Sequence, residues 1–207
     1  MATKALKQRM ASKILRATDD NIEKAAQVIK KGGLVIFPTD TVYGLGCDAF
    51  NAEAVRRIFA VKGRDEKKPL PVLIADLAQL KKIVKKTPPL AKELIKKHWP
   101  GKLTIVFHKN EKMSPEITAG GEKIGVRMPR QRIVEQLIKM ANRPIIGTSA
   151  NLSGEGELRK VNDIPAKLLE GVDLVLDGGE SESSIPSTVI DVTVKPPQIL
   201  RQGAIFI

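Results

Sequence analysis

The sequence predicts an α/β (α+β) fold in which amphipathic helices flank a mixed sheet. Three observations lead there. Short apolar runs such as residues 34–37 and 103–107 alternate with stretches whose apolar residues recur at helical spacing. Not every pair of strand-like runs has a helix between them, which favours a mixed sheet over a purely parallel one. No internal repeat, low-complexity tract or long linker interrupts the 207 residues, so residues 1–207 read as one domain.

In chain order, the basic, acid-free residues 1–13 read as an arm ahead of the first strand, in preference to a mitochondrial presequence. Asp19 or Asp20 is positioned to cap a helix with an apolar face of Ile22, Ala25, Ala26 and Ile29, ending at Gly32-Gly33. Residues 34–37 form a buried strand. Asn51 caps a helix through Val55, Ile58 and Phe59, and residues 70–75 form the next strand. Helices follow over 76–86 and 89–97, and Pro100-Gly101 breaks the chain before a strand at 103–107. Residues 123–128 read as strand, 131–140 as helix and 144–147 as a short strand entering a polar turn. A helix near 164–169 precedes strands at 172–176, 187–194 and 198–201, and residues 181–184 read as a mobile connection.

Composition narrows the function classes. The hydrophobic share of 42% supports a true core and argues against disorder. No apolar run approaches the roughly 20 residues of a membrane helix, and no secretory signal is visible, so a cytoplasmic protein is expected. Cys47 is the only cysteine, and His98 and His108 are the only histidines. An intramolecular disulfide and a His/Cys metal cluster are therefore excluded as readings, and no protein-built metal site is expected. The net charge of +12 implies an anionic partner. Part of it, the lysines at 81, 82, 85, 86, 92, 96 and 97, reads as the wet face of helices. Aromatics make up only 3% of the chain, too few for a base-stacking platform.

Several short strings could carry chemistry. Gly44-Leu45-Gly46-Cys47-Asp48-Ala49 matches G-x-G-x-x-A, but residues 38–43 separate it from the preceding strand, which speaks against a nicotinamide cofactor. No P-loop is present, so a bound polyphosphate needs other donors. Lys62-Gly63-Arg64 and Lys67-Lys68 put four cations near one turn, as either a phosphate cradle or an exposed basic loop. Arg127 lies inside an apolar strand, where a charge needs an ion-pair partner or a ligand. Gly147-Thr148-Ser149-Ala150-Asn151-Leu152-Ser153-Gly154 ends a buried strand in small polar groups, where ligands of α/β folds sit.

In order along the chain, these strings resemble the YrdC-like family of threonylcarbamoyl-AMP synthases. The match runs through Pro38-Thr39-Asp40-Thr41-Val42-Tyr43-Gly44-Leu45-Gly46, Lys62-Gly63-Arg64, Trp99-Pro100-Gly101 and Val126-Arg127. It continues through Thr148-Ser149-Ala150-Asn151-Leu152-Ser153-Gly154, Ser187-Thr188-Val189-Ile190-Asp191 and Leu200-Arg201-Gln202-Gly203. The resemblance covers about residues 14–204. It implies an open, twisted sheet with a positively charged concave cleft. It also implies synthesis of threonylcarbamoyl-AMP and pyrophosphate from L-threonine, bicarbonate and ATP, with Mg²⁺ bound through the phosphates. The product would serve the threonylcarbamoyl modification of tRNA adenosine, by way of downstream transfer proteins.

By the same resemblance, Thr41, Arg127, Thr148 and Ser187 bind threonine, with Arg127 on its carboxylate. Lys62, Arg64, Lys68, Ser149, Asn151 and Arg201 bind ATP, and Lys62 and Arg64 are the catalytic cations. The chain departs from the pattern at Lys68, where many members carry Asn or Ser, at Leu73, where some carry His, and over residues 154–160. The additional C-terminal domain of longer members is not in this sequence.

The residue types suit the chemistry. Threonine's amine captures carbon dioxide or bicarbonate, a carbamate oxygen attacks the α-phosphorus, and pyrophosphate leaves. Positioning and fixed cations do most of that work, so the scarcity of His and Cys is no obstacle. Two other readings compete. A basic, concave RNA-binding module would show salt-steep RNA affinity and no turnover. A carbamoyl-adenylate domain of hydrogenase maturation normally sits among zinc-finger-like domains, which one cysteine does not supply.

Overall fold

Two mixed sheets, not the single one expected, organise the computed structural model, which describes residues 4–181, 183 and 185–207. The expected arm begins as a helix, α1 (Lys4–Ala11), and leads into a strand the sequence reading lacked, β1 (Ile14–Arg16). Of the stretch read as mobile, positions 182 and 184 lie outside the described residues.

Helix α2 (Asp19–Lys30) buries Ile22, Ala25, Ala26 and Ile29, the stripe its spacing predicts. Its cap is Thr18, whose hydroxyl accepts from Asn21 N; Asp19 and Asp20 instead occupy the first turn, where the helix dipole favours acids. Strand β2 (Val35–Phe37) follows, then β3 (Gly44–Gly46) and α3 (Ala52–Lys62). Asn51 caps α3 as expected, and Gly63 at φ 59° ends it in the left-handed conformation that glycine tolerates. The strand read over residues 70–75 shrinks to β4 (Val72–Leu73). Helices α4 (Leu77–Ile83) and α5 (Pro89–His98) lead to β5 (Leu103–His108) and β6 (Lys123–Arg127). Then come α6 (Arg132–Ala141), β7 (Ile145–Ile146), β8 (Thr148–Ser149), α7 (Ala166–Gly171), β9 (Leu174–Asp177), β10 (Thr188–Asp191) and β11 (Gln198–Arg201).

The first sheet has the order β1-β9-β2-β3-β8, the second β11-β10-β5-β6-β4-β7. In the first, β2 pairs parallel to β9 and antiparallel to β3; in the second, β5 pairs parallel to β10 and antiparallel to β6. Alternation along the strands sorts side chains between layers. Val35 and Phe37 of β2 join α2 and α6 in one apolar cluster, while Leu34 and Ile36 join the larger one shared with β5. In β5, Leu103, Ile105 and Phe107 enter that larger core and leave Thr104 and Val106 for the opposite face. Among the described residues, no helix is long and apolar enough to cross a membrane.

The Gly44-x-Gly46 pair has a packing explanation. Both glycines lie in β3 beside the Phe37 ring, and a Cβ on Gly46 would come within 2.2 Å of the Ile146 carbonyl oxygen. The pattern that superficially matches a dinucleotide fingerprint is a close strand–strand approach.

Candidate active site

A cavity of about 420 Å³ opens on the face of the second sheet that the core leaves free. Its floor follows from strand alternation. Ser187, Val189 and Asp191 line it from the β10 side, Thr104 and Val106 from β5, Lys123, Gly125 and Arg127 from β6, and Leu73 from β4. Each strand contributes every second residue, and their intervening partners Ile105, Val126 and Ile190 are buried in the core. The walls are loops and strand ends: Thr39, Thr41 and Tyr43 after β2, Arg64 after α3, Thr148 and Ser149 of β8, Glu157, and Arg201 of β11.

At one end, Arg127 is locked in place. Its Nη2 donates to Asp40 Oδ1 at 2.5 Å, its Nη1 to Thr41 Oγ1 at 3.0 Å and its Nε to Gly101 O at 2.9 Å. The side chains of Arg127 and Asp40 are only 7% and 4% exposed. Burial pulls the guanidinium below its ordinary pKa, and Asp40 opposes that pull. Three bonds occupy three of the five guanidinium N–H donors, so two remain for a ligand. Thr41 is held in turn by Thr39, whose hydroxyl lies 3.0 Å from that of Thr41 and accepts from its backbone N–H. Nearby, the hydroxyls of Thr104 and Ser187 are 2.8 Å apart.

The other wall is cationic and looser. Among the described residues Arg64 donates only to carbonyls of its own loop, from Nε to Lys68 O and from Nη2 to Pro69 O. Arg201 donates from Nε and Nη2 to Ser187 O, and from Nη2 to Ser187 Oγ at 3.2 Å. Partial burial lowers both guanidinium pKa values, with Asp65 countering it at Arg64 and Glu157 at Arg201. Lys123, also in the lining, donates to Asp191 Oδ2 at 2.8 Å. Burial raises the Asp191 carboxyl, but hydrogen bonds from Lys123 and Thr193 outweigh it and hold the group below its ordinary value.

Seven of the ten expected site residues converge on this hollow: Thr41, Arg64, Arg127, Thr148, Ser149, Ser187 and Arg201 all line it. Lys62, Lys68 and Asn151 do not. Lys62 was expected on the phosphates. It lies instead behind the wall, 2% exposed, its ammonium donating to Ser149 O, to Asn151 O at 2.7 Å and to Asn151 Oδ1 at 3.2 Å. Burial above all, and the charge of Arg64, press its pKa down to about 8, with Glu157 opposing. Three acceptors use all its protons, so it fixes the Ser149–Asn151 turn. Asn151 serves the same turn, accepting from Ser149 Oγ at 2.6 Å and donating to Glu155 O at 2.6 Å. Lys68 is exposed on the loop beyond Arg64. Sequence reasoning missed Asp40 as the partner of Arg127, and missed Thr39, Thr104, Lys123, Glu157 and Asp191. Of these, Asp40 and Thr39 were within reach, because a buried strand arginine demands an acid and both belong to the Pro38–Gly46 string.

Comparison with known proteins identifies the family. The Sua5/YciO/YrdC family model, described as "Telomere recombination", matches residues 27–203. A threonylcarbamoyl-AMP synthase of Pyrococcus abyssi is 41% identical over 92% of this chain and 56% of its own length. A Vibrio vulnificus protein of the same name is 32% identical over 88% of this chain and 98% of its own length. The crystal structure of P. abyssi Sua5 complexed with L-threonine superposes with a TM-score of 0.88, at 41% identity, over 92% of this chain and 56% of that one. The chain thus spans little more than half of the P. abyssi protein.

Proposed function

The chain belongs to the Sua5/YciO/YrdC family, and from that membership we propose that it is a threonylcarbamoyl-AMP synthase. As a nucleotidyltransferase of the cytoplasm it joins L-threonine, bicarbonate and ATP, releases pyrophosphate, and passes threonylcarbamoyl-AMP to proteins that modify tRNA adenosine. Residues 1–207 act as one catalytic domain. The observation that carries this reading is a single hollow in which a preset arginine fork adjoins two further arginines.

In this reading the two spare N–H donors of Arg127 take the threonine carboxylate in a fork. Thr41, Thr148, Thr104 and Ser187 surround the amino acid, and their hydroxyls are suited to its polar groups. The relative with L-threonine bound supports a threonine site in this fold. Arg64 and Arg201 neutralise the polyphosphate, and Ser149, on the turn held by Lys62, offers a hydroxyl to the nucleotide. The carbamate oxygen then meets the α-phosphorus in line, and fixed cations stabilise the charge that passes to pyrophosphate. The donor set suits Mg²⁺ held mainly by phosphates and water. Among the described residues no group of three or more His, Cys, Asp or Glu forms a metal cluster. When bound there, Mg²⁺ would supply further neutralisation of the departing pyrophosphate.

The purified protein given ATP, L-threonine and bicarbonate is expected to release pyrophosphate, much more slowly when threonine is left out. Turnover indifferent to threonine overturns the reading. Salt-steep RNA binding with no pyrophosphate release would favour the RNA-binding module instead.

A further inference from the structure

Resting on the synthase reading, we propose that Glu157 determines which form of the nucleotide this cavity accepts: it admits a triphosphate carrying a divalent cation and disfavours the bare polyanion. The cavity is lined by two carboxylates, Glu157 and Asp191. Asp191 is committed, its Oδ2 to Lys123 and its Oδ1 to the backbone N–H and hydroxyl of Thr193. Glu157 is different. Among the described residues its carboxylate makes no ion pair and no hydrogen bond, although it shares the wall with Arg64 and Arg201.

Its place is set by its neighbours. Before it, Glu155 O accepts from Asn151 Nδ2 at 2.6 Å; after it, Leu158 O accepts from Tyr43 N at 2.9 Å. Asn151 is bound to the Lys62 ammonium, so the arc at 156–157 is anchored to the turn that faces the nucleotide. The negative charge of Glu157 is felt at both Lys62 and Arg201, where it opposes the loss of their protons.

A carboxylate left unpaired among cations repels an incoming triphosphate that arrives alone. When the triphosphate brings Mg²⁺, the same carboxylate gains a partner, directly or through a metal-bound water. Mg²⁺ is commonly held in this way, by one or two carboxylates plus substrate phosphates. Glu157 thus converts a general attraction for anions into a preference for the metal complex.

The test is calorimetric titration of the full chain with the β,γ-imido analogue of ATP, in EDTA and in excess Mg²⁺, for wild type and Glu157→Gln. In the wild type, Mg²⁺ is expected to tighten binding about tenfold, between the roughly fivefold of a close charge contact in bulk water and the much larger effect of a desolvated one. In Glu157→Gln the advantage shrinks to about threefold or less, because the free analogue binds better and the complex worse. Glu157 is exposed and, among the described residues, unpaired, so the variant should unfold at the wild-type temperature. An Mg²⁺ advantage that is equal in both proteins, or absent in the wild type, overturns the proposal while leaving the synthase reading intact. No analogue binding in either condition overturns both.

Discussion

Two parts of the cavity wall hold their cations in opposite ways. Arg127 is buried, with three of its donors committed to Asp40, Thr41 and Gly101 before any ligand arrives. Arg64 and Arg201 hang from nearby carbonyls, the first half-buried and the second exposed, beside Glu157, which is unpaired among the described residues. The buried fork selects by geometry, since a poorly shaped ligand leaves desolvated donors unsatisfied. On the synthase reading, the loose pair would attract by charge and adjust to a long, flexible polyphosphate. On that reading the small substrate would therefore meet a site already assembled, and the large one would order its own.

The largest expected effect breaks the rigid end. Arg127→Ala should cost at least about a hundredfold in pyrophosphate release. It should also cost about 3–5 kcal/mol in stability, because Asp40 is left buried and unpaired. Arg127 is thus part of the scaffold as well as the site. Denaturant midpoints alongside turnover check this, and Arg127→Lys sharpens it by restoring charge without the fork. A lysine variant with normal threonine affinity would mean that charge alone suffices.

At the loose end the two readouts should separate. Arg64→Ala is expected to lower turnover by about 10–100-fold, chiefly through ATP affinity. Its unfolding free energy should stay within about 0.5 kcal/mol of wild type, since among the described residues Arg64 bonds only carbonyls of its own loop. Destabilisation on the Arg127→Ala scale would erase the contrast between the ends.

Legibility in the sequence follows the same divide. Helices α2, α3 and α6 were readable because long apolar stripes and caps such as Asn51 are local signals. β3 and β8 were not, because Gly44–Gly46 and Thr148–Ser149 have no apolar alternation and exist as strands only through pairing with distant partners. The division into two sheets is likewise a product of non-local pairing. At the site, Arg127 announced itself as a charge in an apolar strand, and Ser149 and Arg64 through their motifs. Lys62 illustrates what motif reading misses. Its neighbours in sequence suggest a phosphate ligand, but its acceptors come from residues 149 and 151, far along the chain.

That placement of Lys62 makes a pH prediction. Its pKa in the folded chain is about 8, below the ordinary 10.5. Between those values the unfolded chain binds more protons than the folded one, so this group makes stability rise with pH. The slope approaches about 1.4 kcal/mol per pH unit at most. The stability gap between wild type and Lys62→Met should therefore shift toward wild type from about pH 8 to pH 10. Parallel curves would place the ammonium in water, among the loose cations.

The smallest effect tests where the two ends join. Ser187 offers its hydroxyl to Thr104 Oγ1 and Arg201 Nη2, while its backbone carbonyl takes two further donations from Arg201. Ser187→Ala removes the hydroxyl and keeps the carbonyl, so Arg201 stays tethered. The lost hydrogen bond is worth about 0.5–1.5 kcal/mol, or roughly 2- to 12-fold. That loss should fall on the KM for threonine, with the KM for ATP unchanged. If both constants rose together, Arg201 would depend on the hydroxyl, and the rigid and loose ends would be one coupled unit with no boundary at Ser187.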